Sequence, residues 1–338
     1  MKEPVVLAPA QLAALVRDIF ARHGMSDAHA ALVADVLLWA ELRGMPTHGV
    51  MRVPRYVAWI RNGDLNARPQ IKTITDAPAA AILDGDRAAG PIAMMAAMQA
   101  SCEKARAAGI GLAVVKDTTH TAALGYYTQH AAREGFAAIA LAASSPLMAY
   151  HGARAAGVST APLSIAVPGE DEPLALDMAS SLISMGALAR ARRTGAPIPA
   201  GTALTDDGEP TTDPRKASIP LPLGGPKGSG LGLMAECLCS LLVGNPILAE
   251  SLERTPKSKR HFQNGLVIAI DVQRFLPPAD FRREVRRLAD ALRLLPTEGE
   301  ILMPGERGAR NAVRHREHIA IDAGVYAELT ALNSGSEP

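Results

Sequence analysis

Two of the chain's nine histidines stand in settings that could do chemistry: His48 in Pro46-Thr47-His48-Gly49, and His120 in Thr118-Thr119-His120-Thr121-Ala122-Ala123-Leu124-Gly125. An imidazole titrates near neutrality, so it can take or give a hydroxyl proton while hydride leaves or reaches the same carbon. Arg52 follows His48 by four residues, and in a helix starting near Gly49 its guanidinium projects from the first turn close to that loop. A fork of donors suits a carboxylate substrate. Taken singly, each also reads as a backbone-bonded loop histidine or a surface arginine.

The run Gly224-Gly225-Pro226-Lys227-Gly228-Ser229-Gly230 is similar to a P-loop in composition, but Lys-Gly-Ser replaces Gly-Lys-Ser and no strand directly precedes it. Flexible glycines, a lysine and a helix N-terminus expected at Ser229 could still cradle a phosphate. A glycine-rich turn with a solvated lysine is the equal alternative. No G-x-G-x-x-G follows an expected strand, which speaks against a Rossmann site. Nor is there a His-x-x-x-His or Cys-x-x-Cys pair for a metal, or a Gly-x-Ser-x-Gly elbow for a serine hydrolase.

The elements that must position these groups follow from periodicity. Leu12, Leu15, Val16, Ile19 and Phe20 form one helical stripe stopped by Gly24, and Ser26 caps a second helix running to Leu42. His48 then falls in a loop before a third helix, Val53 to Ile60. From Ile71 the pattern becomes α/β: strands at 71–75, 80–83, 111–116, 136–142, 163–167, 174–176 and 266–271, with helices at 91–108, 124–133, 181–194, 229–242 and 280–294. His120 thus lies just past a strand's C-terminal end, where open α/β sheets place ligands. The stretch 197–226, rich in Pro, Gly, Thr and Asp, reads as a long surface excursion.

At 338 residues the chain exceeds one typical core of about 100–200 residues. The 35 Lys+Arg against 34 Asp+Glu leave no electrostatic footprint for nucleic acid or an anionic membrane. Cys102, Cys237 and Cys239 are too few for a disulfide framework, and a cytoplasmic setting fits. The first residues lack a signal-peptide pattern, and no later run is apolar enough for a membrane span.

Several segments in register resemble the malate/L-lactate dehydrogenase family that lacks a Rossmann fold, with ureidoglycolate and sulfolactate dehydrogenases, diketogulonate reductase and piperideine-2-carboxylate reductase among its members. They are Arg43 to Gly49 with Arg52 and Tyr56, Asp117 to Tyr127, Leu176 to Ser181, Gly208 with Thr211 to Pro214, Pro222 to Gly228, and Pro304 to Glu306. The resemblance implies an α/β (α+β) protein: a helical domain over 1–75, joined by the C-terminal segment 311–338, and a mixed-sheet dinucleotide-binding domain over 76–310. It implies a homodimer that interconverts a small 2-hydroxy carboxylate and its 2-oxo acid with NAD or NADP.

By the same resemblance His48 is the proton donor or acceptor, Thr47 stands where a serine usually polarises that histidine, and Arg52 anchors the carboxylate. His120 matches a histidine beside the nicotinamide that some members use as the acid/base, and Thr160 a substrate-contacting threonine. The cofactor positions are His120, Thr121, Ala122, Ala123, Leu124, Ser144, Asp177, Met178, Ala179, Lys227, Gly228, Gly305, Glu306 and Arg307. Three departures bear on substrate: Ser159-Thr160-Ala161-Pro162 for Gly-Thr-Asn-Pro, Tyr150-His151-Gly152-Ala153 for Trp-Gly-Gly, and Ala187 for an aspartate or lysine. Ala187 offers no relay group, which argues against imine reduction. The rival readings are a reductase of a cyclic imine or diketo sugar acid, and a cofactor-binding protein without turnover.

Overall fold

The computed structural model describes residues 3–253 and 262–336. A short strand β1 (Val5–Leu7) leads into α1 (Pro9–Arg22), whose expected stripe of Leu12, Val16, Ile19 and Phe20 is buried. The Ser26 hydroxyl accepts from His29 N at 3.3 Å and starts α2 (Asp27–Leu42). The loop before α3 (Val53–Arg61) is tighter than expected: two 3₁₀ turns, Pro46–His48 and Val50–Arg52, fold it into a compact corner. Proline at the first position of one turn and a buried Val50 in the other make that corner.

The α/β region follows as β2 (Lys72–Asp76), β3 (Ala80–Asp84), α4 (Gly90–Ala108), β4 (Ile110–Thr118), α5 (Gly125–Arg133) and β5 (Phe136–Ser144). After the small hairpin β6 (Met148–Ala149) and β7 (Ala156–Val158) come β8 (Leu163–Val167), β9 (Leu174–Met178) and α6 (Met185–Thr194). Then β10 (Ala203–Leu204), β11 (Ile219–Pro220), α7 (Pro226–Cys239), α8 (Leu248–Leu252) and β12 (Gln263–Asp271) lead to α9 (Pro278–Arg293). The chain closes with α10 (Glu306–Arg314), β13 (Ile319–Ile321) and α11 (Ala323–Ser334).

Seven strands form one sheet in the order β2-β3-β4-β12-β5-β8-β9. Among the described residues only β3 and β4 pair in parallel, and β12 slots antiparallel between β4 and β5. The pairing makes β4, β5 and β9 run the same way, so their C-terminal ends and the start of β12 share one rim. The central strands accept α4 at close range because small residues face it: a Cβ on Gly111 would sit 2.0 Å from Ser101 O, and one on Gly265 2.2 Å from Met94 Sδ.

Leu329 and Leu332 of α11 share a buried cluster with Leu12, Val16 and the α4 face of the sheet, so the chain's end packs against its beginning. The expected excursion 197–226 is better anchored than its composition suggests. The two short strands β10 and β11 pair within it, and Ile198, Ala203 and Ala217 bury against Ile183 and Leu188. Helix α7 begins at Pro226, three residues before the expected Ser229, because proline at the first helical position already has the required φ.

Candidate active site

The corner after α2 carries the substrate-facing candidates. Thr47 Oγ1 lies 3.3 Å from His48 Nδ1, leaving Nε2 as the ring's working nitrogen. Arg52 bends back so that Nε donates to Thr47 O at 2.5 Å, which leaves its Nη fork for an incoming carboxylate. Burial first, and the Arg52 guanidinium second, push the His48 pKa down to about 4, so this imidazole is neutral at working pH. Helix α6 leans on the same corner: a Cβ on Gly186 would meet Thr47 Oγ1 at 2.2 Å.

The other histidine arrives from the sheet. His120 follows β4, and its ring lies 5.7 Å from that of His48, centroid to centroid, at an interplanar angle of 30°. Tyr56, one turn beyond Arg52 and fully buried, donates its hydroxyl proton to His120 O at 2.9 Å and sits 2.8 Å from His120 Nδ1. A phenol that has spent its proton on the carbonyl accepts from Nδ1–H, which makes the other ring nitrogen an acceptor in the neutral imidazole. Tyr56→Phe keeps the ring and removes this bond, so it should destabilise by about 1–3 kcal/mol, seen as a lower urea midpoint, together with a lower kcat. An unchanged midpoint would show the hydroxyl to be idle.

The loop bearing His120 is held from below. Thr121 N donates to Gln263 Oε1 at 2.9 Å, Tyr127 OH to Thr121 O at 2.7 Å, and the Thr119 hydroxyl to Ala88 O at 3.1 Å. Ala122 adopts a φ of +55°, a left-handed conformation that costs an alanine about 1–2 kcal/mol. Gly90 has no room for a side chain, since a Cβ would stand 2.2 Å from His120 O.

The cofactor candidates line the shared rim of the sheet. Ser144 ends β5 opposite Gln263, which also supports Thr121. Asp177, near the end of β9, accepts from Gly125 N at 2.8 Å and so touches the segment that follows Leu124. Asp177 keeps solvent-exposed area while protein packs closely around its carboxyl. Burial lifts its carboxyl to about 6 against the pull of the Gly125 N–H. Met178 and Ala179 continue to Ser180, which binds Thr160 O through both N and Oγ at 2.8 Å and accepts from Leu223 N at 2.8 Å. Gly228 closes against this knot: a Cβ would lie 2.4 Å from Ser180 O.

Lys227 is exposed in the first turn of α7, next to Gly225 at φ +60°. The segment Gly305, Glu306 and Arg307 flanks the opposite side of β9, where Ala175 N donates to Pro304 O at 3.2 Å. A cavity of about 280 Å³ opens there between Leu174, Ala289, Met303 and Gly305, and neither His48 nor His120 is in its wall. Glu306 is already engaged by Met303 N, Arg310 and Arg293, which hold its carboxyl down near about 2. Arg307 is exposed.

The structure therefore joins Thr47, His48, Arg52 and His120 directly, and strings Thr121 to Leu124, Ser144, Asp177 to Ala179, Thr160 and Gly228 along one rim. Glu306 and Arg307 stand apart beside the cavity. Sequence reasoning gave no role to Tyr56, although its spacing of four from Arg52 puts both on one helical face. Gln263 carries no comparable signal, because a strand glutamine is legible only once β12 is known to sit beside β4.

The chain is a dehydrogenase acting on a CH–OH group, and His48, His120 and Arg52, which meet beside a mixed sheet, are the candidates for its site. It uses a nicotinamide cofactor and interconverts a small 2-hydroxy acid with its 2-oxo acid. The chain belongs to the malate/L-lactate dehydrogenase family, whose profile matches residues 7–330. It is similar to the L-sulfolactate dehydrogenase of Methanocaldococcus jannaschii, 34% identical over 97% of this chain and 96% of that protein. The ureidoglycolate dehydrogenase (NAD(+)) of Escherichia coli K12 is 36% identical over 69% of this chain and 67% of its own. Among solved structures, the malate dehydrogenase of Entamoeba histolytica superposes with a TM-score of 0.93 at 25% identity, covering 99% of both chains. No helix among the described residues is long and apolar enough to cross a membrane.

Proposed function

We propose that the protein is an NAD(P)-dependent dehydrogenase of a small 2-hydroxy carboxylate of the malate, lactate, ureidoglycolate or sulfolactate type, with His48 as the acid/base. The observation that carries this is the meeting of His48, His120 and Arg52 in one corner: two imidazoles 5.7 Å apart and a guanidinium bonded to the turn that bears His48. Arg52 takes the carboxylate in its Nη fork and so orients C2 and its hydroxyl. As the C–H bond gives up its hydride, the O–H proton passes to His48 Nε2 and the carbon–oxygen double bond forms. In the other direction the protonated ring returns it. Thr47 Oγ1 holds the Nδ1 side of the ring, and Tyr56 fixes His120 against the reacting carbon.

The rim fits a dinucleotide. Glycines at 125 and 228 leave no space for a Cβ because Asp177 and the Ser180 and Leu223 backbone pack against them, which draws the rim segments together, and Lys227 with the N-terminus of α7 suits a pyrophosphate. When bound, the nicotinamide supplies the hydride acceptor or donor. Residues 120–124 and Asp177 to Ala179 would hold that end, and the cavity beside Gly305 to Arg307 the far end. Assays with NADH and NADPH against pyruvate, oxaloacetate, sulfopyruvate, a diketo sugar acid and a cyclic imine test the reading. Turnover of a linear 2-oxo acid is expected, whereas turnover of the imine alone would replace it.

The same helix supports a homodimer. Leu231, Met234, Leu238, Leu241 and Leu242 on and after α7 are 44–57% exposed, an apolar stripe too continuous for a solvated face. Pairing there would set the interface beside Lys227. Sedimentation should give twice the chain mass, and Met234→Asp with Leu238→Asp should halve it. A wild-type monomer would refute the pairing. The free thiols Cys102, Cys237 and Cys239 suit a cytoplasmic enzyme. The division into a helical domain, 1–75 with 311–338, and a cofactor domain, 76–310, is proposed on the same footing.

A further inference from the structure

Glu41 is a carboxylate in an unexpected place. It lies in the last turn of α2, where the helix dipole disfavours a negative charge, and it is only 8% exposed. Burial raises its pKa, against the Val50 N–H and the His315 ring, both of which favour the charged form. His315 comes from the end of α10 and is anchored by Nδ1 at 2.9 Å from Leu42 O. An ionisable group kept in a site this costly calls for a compensating role.

Its contacts show what that role is. Glu41 Oε2 accepts from Val50 N at 2.9 Å, the first N–H of the 3₁₀ turn that ends in Arg52. The carboxylate also lies flat against Gly49, where a Cβ would come within 2.1 Å of Oε2 and 3.2 Å of Glu41 Cβ. Gly49 has an ordinary negative φ of −96°, so the missing side chain there serves Glu41 and not the backbone. The Gly49-Val50 peptide joins the turn of His48 to the turn of Arg52, and whatever fixes it fixes both.

We propose that Glu41 is a positioning residue for this site, setting His48 and Arg52 relative to each other through the Gly49-Val50 peptide. The inference rests on the assignment of those two residues to proton transfer and carboxylate binding. It predicts a particular split of effects. The substrate-facing corner loosens when Glu41 is lost, while the cofactor rim, held by Gln263, Asp177 and Ser180, stays as it was.

The test uses Glu41→Ala, Glu41→Gln and Gly49→Ala in the full chain. Gln keeps an acceptor oxygen for Val50 N, whereas the Gly49 variant evicts the carboxylate from the other side and still decides the matter if Glu41→Ala does not fold. Expected are a loss in kcat/KM on the order of 100-fold for Glu41→Ala and Gly49→Ala, with KM for the acid raised and the Kd of the nicotinamide cofactor unchanged. Glu41→Gln should recover most of that loss. Independently of turnover, NMR titration of the histidine rings should show His48 moving from about 4 toward 6.5 in the two disruptive variants while His120 holds. A wild-type protein inactive on every acid would sink the catalytic reading yet leave this titration to be read. An unmoved His48 in all three variants, or equal losses in substrate and cofactor binding without rescue by Gln, overturns the proposal.

Discussion

Replacing His48 with alanine lowers kcat for 2-hydroxy acid oxidation by about 100- to 10,000-fold while the cofactor binds as before, if this ring moves the hydroxyl proton. Oxidation needs the neutral imidazole. With the free-enzyme pKa held near about 4 by burial and Arg52, kcat/KM should stay level from neutral pH downward and fall only as pH drops through about 4. An unperturbed histidine would already fail near 6.5. Reduction needs the protonated ring, so its kcat/KM should fall by about tenfold per pH unit above that same pKa. A His48→Ala protein with near-normal turnover would hand the role to His120, which stands close enough to take it.

The second large effect is on substrate binding. Arg52→Ala removes charged hydrogen bonds of about 1.5–3 kcal/mol each, so KM for the acid should rise roughly 10- to 100-fold with little change in cofactor Kd. Lysine should not restore it, because a point charge replaces a planar fork and the Nε bond to Thr47 O is lost. Removing this cation also takes away the smaller cause of the low His48 pKa, so the acid limb of the oxidation profile should move up only in part. Steady-state kinetics over pH on both variants checks these points. An Arg52→Ala enzyme with wild-type KM would mean that the carboxylate is held elsewhere.

Much of this corner is legible in the sequence because its parts are close along the chain. His48, Arg52 and Tyr56 succeed one another at helical spacing, and a proline and a glycine mark the turn between them. His120 is legible because a strand and a threonine-rich turn precede it. The central position of β12 is not, since a strand formed more than a hundred residues after β5 pairs with it through contacts that no local pattern encodes. Helix α10 buries no residue and has only Ala309, Ala312 and Val313 for an apolar stripe, yet it carries Asn311 and His315 to the carbonyls of Arg43 and Leu42. Backbone strain is equally silent. Ala161 has a φ of +32°, a left-handed value that an alanine seldom adopts and that no local pattern announces. Glu41 is one more charge in a helix until its neighbours are in place.

The most direct test of hydride transfer to a 2-oxo acid uses a nicotinamide cofactor deuterated at C4, with mass spectrometry and NMR of the product. One deuterium at C2 of the hydroxy acid is the predicted result, formed about 100- to 10,000-fold more slowly by His48→Ala. A cofactor that binds but yields no C2-deuterated product from any linear 2-oxo acid would contradict the account.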